Sequence, residues 1–283
     1  MQIIRSISEM QKQAEAWRKL GKRIGFVPTM GFLHEGHLHL VSLSRQKTDF
    51  TVASIFVNPT QFGPQEDFSR YPRDEEGDLK KLEEAGTDLV FLPTAEEMYP
   101  EGFQTSVHLK QITQGLCGQS RPGHFDGVAT VVLKLFQLVK PHAAIFGEKD
   151  YQQLTVIRRM VKDLNLDVEI VGAPTQRSPE GLALSSRNSY LTEEEKKKAL
   201  SLSQVLQAIM TAFQKGERRV SELLQEGKNL LEKTEGIDLE YLEIVDASTL
   251  SPLKILNRPA RALIAAKIGK TRLIDNVALG DFS

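Results

Sequence analysis

Residues 50–57 read Phe-Thr-Val-Ala-Ser-Ile-Phe-Val, an apolar run with almost no interruption. A run that does not alternate cannot keep one face in water, so it predicts a strand covered on both faces. A strand of that kind belongs in a parallel sheet with helices packed on either side. Further strands are expected at 24–27, 88–92, 143–146 and 167–171, and a short alternating one at 104–109. Segments with helical spacing lie between them. In 6–20, Met10, Ala14, Trp17 and Leu20 form one stripe, with Ser6 or Ser8 as cap. In 38–46, Leu40, Val41, Leu43 and Ser44 face mostly inward. The others are 74–85, ended by Gly86, then 128–138 and 155–164. This alternation implies a doubly wound α/β domain.

The pattern changes beyond about residue 175. Residues 177–188 are polar and loop-rich. Thr192 and Glu195 make a capping box, opening a helix that runs to about 214 and stops at Gly216. A second helix is expected over 220–233, and strands at 239–245, 262–268 and 271–276. Helices followed by antiparallel strands predict a separate, smaller α+β domain, with the boundary between 175 and 190.

The sequence of 283 residues has a net charge of −1. That excludes general nucleic-acid binding, which needs a basic surface. The smaller domain hides no basic patch: from Ser185 on it has 15 Lys and Arg against 14 Asp and Glu. No run reaches the length of a membrane span, and the first residues lack the pattern of a signal peptide. Cys117 is the single cysteine, so no intramolecular disulfide forms, and a reducing, cytoplasmic setting is the expectation. A lone cysteine reads as a small packing residue.

Residues 25–37 read Gly-Phe-Val-Pro-Thr-Met-Gly-Phe-Leu-His-Glu-Gly-His: a buried strand, a turn at Pro28 and Gly31, then the first turn of a helix. His34 and His37 are three apart and share a helix face, while Glu35 points off it. A helix N-terminus with open N–H groups is a phosphate site, and Gly36 leaves room for a nucleotide. Two imidazoles at such a turn suit a reaction that builds negative charge on phosphorus. The same spacing also suits a surface pair or a weak metal site.

Three further polar clusters follow strands or linkers. Asn58 to Gln61 carries amides that hydrogen-bond in both directions, but these are also ordinary turn residues. Gly147-Glu-Lys-Asp150, followed by Gln152 and Gln153, offers Lys149 to a phosphate and Asp150 to a ribose hydroxyl or magnesium; it also reads as a solvated loop. Leu184-Ser-Ser-Arg187 could close over a triphosphate or simply start the next helix. His124 and Asp126 are possible pocket residues, and Arg73 and Arg121 either face an anion or lie on the surface. No Gly-x-x-x-x-Gly-Lys-Ser/Thr loop is present, and Gly115, Gly118 and Gly123 do not make a dinucleotide fingerprint.

Taken together, these stretches resemble the pantoate–β-alanine ligase family. Pro28 to His37 is similar to that family's form of the His-x-Gly-His element of nucleotidylyltransferases. Asn58 to Gly63, Arg121 to Val128, Gly147 to Gln153 and Leu182 to Asn188 match in order and spacing. The resemblance covers essentially the whole chain. It implies ATP-dependent, Mg²⁺-assisted condensation of (R)-pantoate with β-alanine through a pantoyl adenylate, with AMP and pyrophosphate released. It implies a Rossmann-like doubly wound domain over 1–184, a C-terminal lid domain over 185–283, and a homodimer. By the family pattern, ATP is surrounded by Met30, Gly31, Phe32, Leu33, His34, Glu35, Gly36 and His37, by Gly147, Glu148, Lys149 and Asp150, and by Leu184, Ser185, Ser186 and Arg187. Gln61 and Gln153 hold pantoate, and Gln61 also meets β-alanine. His37 is the family's proton donor, and His34, Lys149 and Arg187 join it in stabilising phosphate charge. Gln176 stands where the family usually has Val, whose backbone meets adenine. A nucleotidylyltransferase that stops at the adenylylated product, or a non-catalytic nucleotide sensor, are the alternatives.

Overall fold

The computed structural model describes residues 1–232 and 234–280. The chain divides into two compact units. The first comprises Met1–Lys110, Arg121–Glu148 and Val156–Pro174; the second comprises Gln111–Ser120, Lys149–Thr155 and Thr175–Ser283, whose last three residues lie outside those described.

Along the first unit run β1 (Gln2–Ile4), α1 (Ile7–Lys19), β2 (Ile24–Thr29), α2 (Glu35–Lys47), β3 (Phe50–Ile55), α3 (Glu75–Glu84), β4 (Leu89–Phe91) and α4 (Ala95–Met98). After α5 (Cys117–Ser120), which belongs to the second unit, come α6 (His124–Val139), β5 (Ala143–Gly147), α7 (Tyr151–Asp163) and β6 (Glu169–Ala173). The six strands form one parallel sheet in the order β1-β4-β3-β2-β5-β6.

The sheet is buried on both faces, as the run at 50–57 requires. Phe26 and Val27 are neighbours on β2, so they point to opposite faces, and neither is exposed. Val27 joins a core with Leu40 and Val41 of α2 and Leu82 of α3. Phe26 meets Phe136 of α6 edge-on, with centroids 6.4 Å apart. On the α6 face, Trp17 of α1 stacks on Phe50 at 4.4 Å and 10°. The order of connection reverses between β2 and β5, and ligands bind such sheets at the C-terminal strand ends beside a reversal.

Some expectations need correction. Residues 104–109 form no strand; the Val107 N–H goes to the Thr130 hydroxyl (2.9 Å) instead of to a ladder. Leu20 caps the end of α1 and is 72% exposed, because the helix stops before its stripe returns to the core. Pro28 is not yet in the turn: it is part of β2 and pairs with Ser54 of β3. β5 meets β2 only through Gly25 and Phe26, so at Pro28 the strand has one neighbour, the setting in which sheets accept proline. β1, three residues long, has no readable period.

In the second unit, α8 (Glu193–Gln214) and α9 (Val220–Leu231) share a core with an antiparallel sheet of β7 (Ile237–Asp246), β8 (Ala260–Ile268) and β9 (Thr271–Leu279). Val205 and Ile209 of α8, Leu223 of α9 and Ile264 of β8 are fully buried there. The expected capping box is present: the Glu195 N–H donates to Thr192 Oγ1 (3.2 Å), and the Thr192 N–H to the Glu195 carboxylate (2.9 Å). The helix expected over 220–233 ends at Leu231, and Lys233 lies outside the described residues. Residues 111–120 are held by Gln152, which accepts from the Cys117 N–H (3.0 Å) and donates to the Ile112 and Gly115 carbonyls. Among the described residues no helix is long and apolar enough to cross a membrane.

One contact fixes where the β3 end lies. A Cβ on Gly127 of α6 would sit 2.4 Å from the Thr60 carbonyl oxygen and 2.7 Å from the Gln61 nitrogen, both backbone. Gly127→Ala should therefore push the Asn58–Gln61 turn away and cost about 1–3 kcal/mol of stability, the usual range for overpacking. A denaturant titration measures this; parent-like stability would mean the turn yields freely.

Candidate active site

The turn after β2 is built from two residues in the left-handed region, Gly31 (φ +80°) and Phe32 (φ +51°). Such a conformation is unfavourable for Phe32 and needs outside support. Asp78 of α3 supplies it: its carboxylate oxygens accept the Phe32 N–H at 2.6 Å and the Leu33 N–H at 2.7 Å. Lys81, one turn further on, donates to the Leu33 carbonyl at 2.9 Å. The Gly31 N–H goes to Thr29 Oγ1 at 3.2 Å. Burial pushes the Asp78 carboxyl above its ordinary range, against the pull of the two N–H groups and Lys81.

Two N–H groups of the helix N-terminus that follows are already engaged, those of Gly36 and His37. His34 is the N-cap, and its Nδ1 accepts the Gly36 N–H at 3.1 Å. In return His37 Nδ1 accepts the His34 N–H at 3.3 Å, and the His37 N–H donates to the His34 carbonyl at 2.8 Å. The pair therefore forms an imidazole version of the capping box. The two rings lie 4.1 Å apart, tilted by 41°. A backbone N–H can only donate, so both Nδ1 atoms are acceptors while these bonds stand. A neutral imidazole then carries its proton on Nε2. Both histidines are thus set to donate from Nε2. Glu35 points off into solvent, as expected.

The β3 end brings Gln61 to the same turn: Gln61 Nε2 lies 3.2 Å from Met30 Sδ. Asn58, fully buried, fixes the glutamine. Its Oδ1 accepts from the Thr60 N–H, the Thr60 hydroxyl and the Tyr99 hydroxyl (2.8 Å). Its Nδ2 donates to the Gly127 carbonyl (3.2 Å) and to Gln61 Oε1 (3.0 Å). The two backbone partners settle which way the Asn58 amide points. That in turn fixes Gln61 with Oε1 inward and its NH₂ group turned to the turn residues, so Gln61 offers donors there.

The Gln61 backbone is anchored as well. His124 Nδ1 donates to the Gln61 carbonyl at 2.8 Å, and Arg121 approaches it at 3.3 Å. Arg121 NH1 lies 3.0 Å from His124 Nε2; arginine has no acceptor, so Nε2 must accept. Arg121 is also clamped by both oxygens of Glu66, at 2.7 and 2.6 Å. Arg73 donates to the Tyr71 and Phe68 carbonyls. Both arginines weighed as anion-facing are thus engaged in shaping loops. Asp126 pairs with His108 at the surface (2.9 Å).

The other expected residues lie in the second unit or at its edge. Gly147 ends β5, and Glu148 to Asp150 make a single 3₁₀ turn leading into α7. Lys149 and Ser185 line one pocket with Asn188, Asp275 and the apolar side chains of Leu182, Leu202 and Leu273. The Lys149 ammonium is 3.9 Å from Asp150, and its carbonyl accepts from Asn276 Nδ2 at 2.9 Å. Ser185 caps a 3₁₀ turn over Ser186–Tyr190 and accepts the Arg187 N–H at 3.3 Å; Ser186 is buried. Gln176 accepts the Leu184 N–H on its carbonyl (2.9 Å), closing the loop between them. Arg177 at its base is paired through both arms with Asp275 (2.6 and 2.9 Å). Of the two glutamines in sequence, Gln152 is committed to residues 111–120, while Gln153 is half-buried beside it on α7.

Asp78, Lys81 and Tyr99 escaped the sequence reading. Asp78 did leave a signal: it lies four residues before Leu82, on the inward face of α3, where both are buried. An acid on an apolar stripe needs a partner.

A family model for pantoate–β-alanine ligase matches residues 2–278. The chain belongs to the pantoate–β-alanine ligase family. The pantothenate synthetases of Syntrophobacter fumaroxidans and Thermotoga neapolitana are each 54% identical to it, over 99% of this chain and 99% and 100% of theirs. The crystal structure of pantothenate synthetase from Thermus thermophilus superposes with a TM-score of 0.94 at 48% identity, covering 99% of this chain and 100% of that one. Pantoate–β-alanine ligase from Francisella tularensis, complexed with β,γ ATP and β-alanine, gives 0.81 at 37%, covering 98% and 97%. The doubly wound parallel sheet and the smaller antiparallel unit are thus the fold of a ligase family.

Within this ligase the Glu66–Arg121 clamp should show in pH dependence. Burial raises the Glu66 carboxyl, but the Arg121 hydrogen bonds and charge and the Gly63 N–H outweigh it, so the net shift is downward. A carboxyl lowered in the folded state adds stability above its unfolded pKa and loses it as pH falls through the folded value. Glu66→Gln should therefore cost about 1.5–3 kcal/mol near pH 7, the range for a charge-assisted hydrogen bond, and the deficit should shrink in acid. Melting curves across pH measure it; a deficit that grows in acid would contradict the clamp.

Proposed function

We propose that this chain condenses (R)-pantoate with β-alanine, using ATP, to give pantothenate, AMP and pyrophosphate. The observation that carries the reading is the reciprocal cap of His34 and His37, which sets two Nε2 donors side by side at the C-terminal end of β2. The full-length family match supports it, and so does the relative crystallised with β,γ ATP and β-alanine.

A carboxylate is a poor acyl donor, so the pantoate carboxylate first attacks the α-phosphorus of ATP, and pyrophosphate leaves. His34 and His37 donate from Nε2 to phosphate oxygens as negative charge grows there. His37 is the proton donor. Lys149, Ser185, Ser186 and Arg187 act on the same phosphates. Met30 to Leu33, Glu35, Gly36, Gly147, Glu148, Asp150, Gln176 and Leu184 complete the ATP contacts. Since Phe32 and Leu33 have their N–H groups on Asp78, their ATP contacts use other atoms. Gln61 gives its NH₂ donors to pantoate, together with Gln153, and Gln61 also meets β-alanine. The free amine of β-alanine then attacks the acyl carbon of the pantoyl adenylate and AMP departs. No acyl-enzyme forms, so no Ser-His-Asp array is needed.

Mg²⁺ enters this reading as a companion of the ATP phosphates, where it neutralises charge. The described residues contain no group of three or more His, Cys, Asp or Glu able to hold it by themselves. Residues 1–184 serve in this reading as the ATP- and pantoate-binding domain, and 185–283 as the lid that keeps water from the adenylate. The working form is a homodimer in the cytoplasm.

Pantoate alone should support exchange of labelled pyrophosphate into ATP, and β-alanine alone should not; the reverse result would refute an adenylate formed before the amine acts. A plain nucleotidylyltransferase would show no amine-dependent AMP release, and a sensor no turnover. In single-turnover assays, His37→Ala and Lys149→Ala should slow adenylate formation about 10²–10³-fold. Amine transfer from preformed pantoyl adenylate should suffer far less; the melting point should hold in Lys149→Ala, while His37→Ala, which also loses its cap bond, should melt slightly lower. Equal slowing of both steps would remove these residues from phosphate chemistry. Gln61→Ala and Gln153→Ala should lower kcat/KM for pantoate about ten- to hundredfold and leave ATP affinity nearly unchanged; equal losses for both substrates would indicate general damage.

A further inference from the structure

The turn between β2 and α2 has the shape of an anion site. Successive backbone N–H groups in a turn form a concave nest that attracts negative charge. At Phe32 and Leu33 that nest is filled from within, by the carboxylate of Asp78. A Cβ on Gly31 would come within 2.9 Å of the same carboxylate and 3.0 Å of Ile55, so the turn and the acid are fitted to each other.

The consequence runs to His37 through one peptide group. The Leu33 carbonyl accepts from Lys81 Nζ at 2.9 Å. The N–H of that same peptide unit belongs to His34, and it donates to His37 Nδ1 at 3.3 Å. A peptide group is planar and rigid, so whatever holds its oxygen also aims its hydrogen. Asp78 holds the preceding N–H, on Leu33 itself. Both peptide groups flanking Leu33 are thus gripped from α3, four residues' span of one helix.

We propose that Asp78 and Lys81 are positioning residues for His37: by fixing the Leu33–His34 peptide they keep His37 Nδ1 an acceptor and hold its proton on Nε2. Neither touches substrate in this proposal. Asp78 also keeps the nest closed to phosphate, so the triphosphate is left to the histidines. The proposal rests on the functional reading above for its kinetic consequences, but not for its spectroscopic one.

Four variants test it, with the parent enzyme's pantoate-dependent pyrophosphate exchange run beside them. Failure of the parent exchange would sink the functional reading, not this proposal. Asp78→Asn keeps the shape but turns an NH₂ toward one of two N–H donors. Lys81→Met removes the carbonyl anchor and keeps the stem, and Lys81→Arg restores a cation. In ¹⁵N spectra of the ligand-free protein, parent His37 should show a proton fixed on Nε2. Asp78→Asn and Lys81→Met should each average that signature between the two nitrogens, and Lys81→Arg should bring it back. Adenylate formation should slow about 10–100-fold in Asp78→Asn, several-fold in Lys81→Met, with KM for β-alanine unmoved. Formate should restore part of the rate in Asp78→Ala by refilling the nest. A parent-like His37 signature in Lys81→Met, a variant at a half-exposed position that should fold, would overturn the proposal whatever becomes of Asp78→Asn. So would a lowered melting point in Asp78→Asn with His37 signature and rate unchanged, which is what a merely structural acid would give.

Discussion

The structure depends on the burial of β2 from both sides. Phe26 and Val27 leave no face of that strand in water, so its polar business is confined to the point where it ends. All four central strands are short and apolar, and the chain can present hydrogen-bonding groups only in the loops beyond them. The histidine turn follows β2, the Asn58–Gln61 turn follows β3, and the Gly147–Asp150 turn follows β5. Packing on one level thus fixes the address of the chemistry on the next.

At that address the backbone and side chains satisfy one another to an unusual degree. Histidines cap their own helix, an aspartate fills a nest that would suit a ligand, and a buried asparagine spends all its capacity on orienting a glutamine. The common physical cause is burial: each polar group withdrawn from water needs a partner, and the partners chosen also fix tautomers and amide directions. A site arranged in this way enters a reaction with its donors already aimed, and little reorganisation is left for the moment when charge moves.

The parts legible in the sequence are those with a strong period or a stiff residue. The apolar run at 50–57, the box from Thr192 to Glu195 and the turn ahead of His34 all announce themselves through local chemistry. The misread parts depend on distant partners. Residues 104–109 alternate like a strand, but their backbone is claimed by Thr130. Leu20 continues a stripe that the helix does not reach. The helix N-terminus expected to present open N–H groups is partly capped by the very histidines that marked it, a contact that spacing alone does not reveal. Asp78 sits among the acids Glu75, Glu76 and Glu83 in sequence, and only its phase with Leu82 sets it apart. The wider set of site residues rests on family resemblance, whose motifs are ordered along the chain in a way no single spacing discloses.

The division of the chain carries a consequence for how the molecule comes into being. Neither unit is a continuous stretch: the second takes residues 111–120 and 149–155 from within the span of the first. During synthesis the sheet of the first unit can close once β6 has emerged, but the segment latched by Gln152 then still lacks the rest of its own unit. The buried core of the later unit lies within residues 191–279, and the two early segments must join it across the intervening chain. Loop closure over such separations is slow. A fragment cut after residue 184 would carry orphaned pieces of the second unit, and the remainder would lack them. The two halves of this ligase are separable as compact bodies, yet not as lengths of chain.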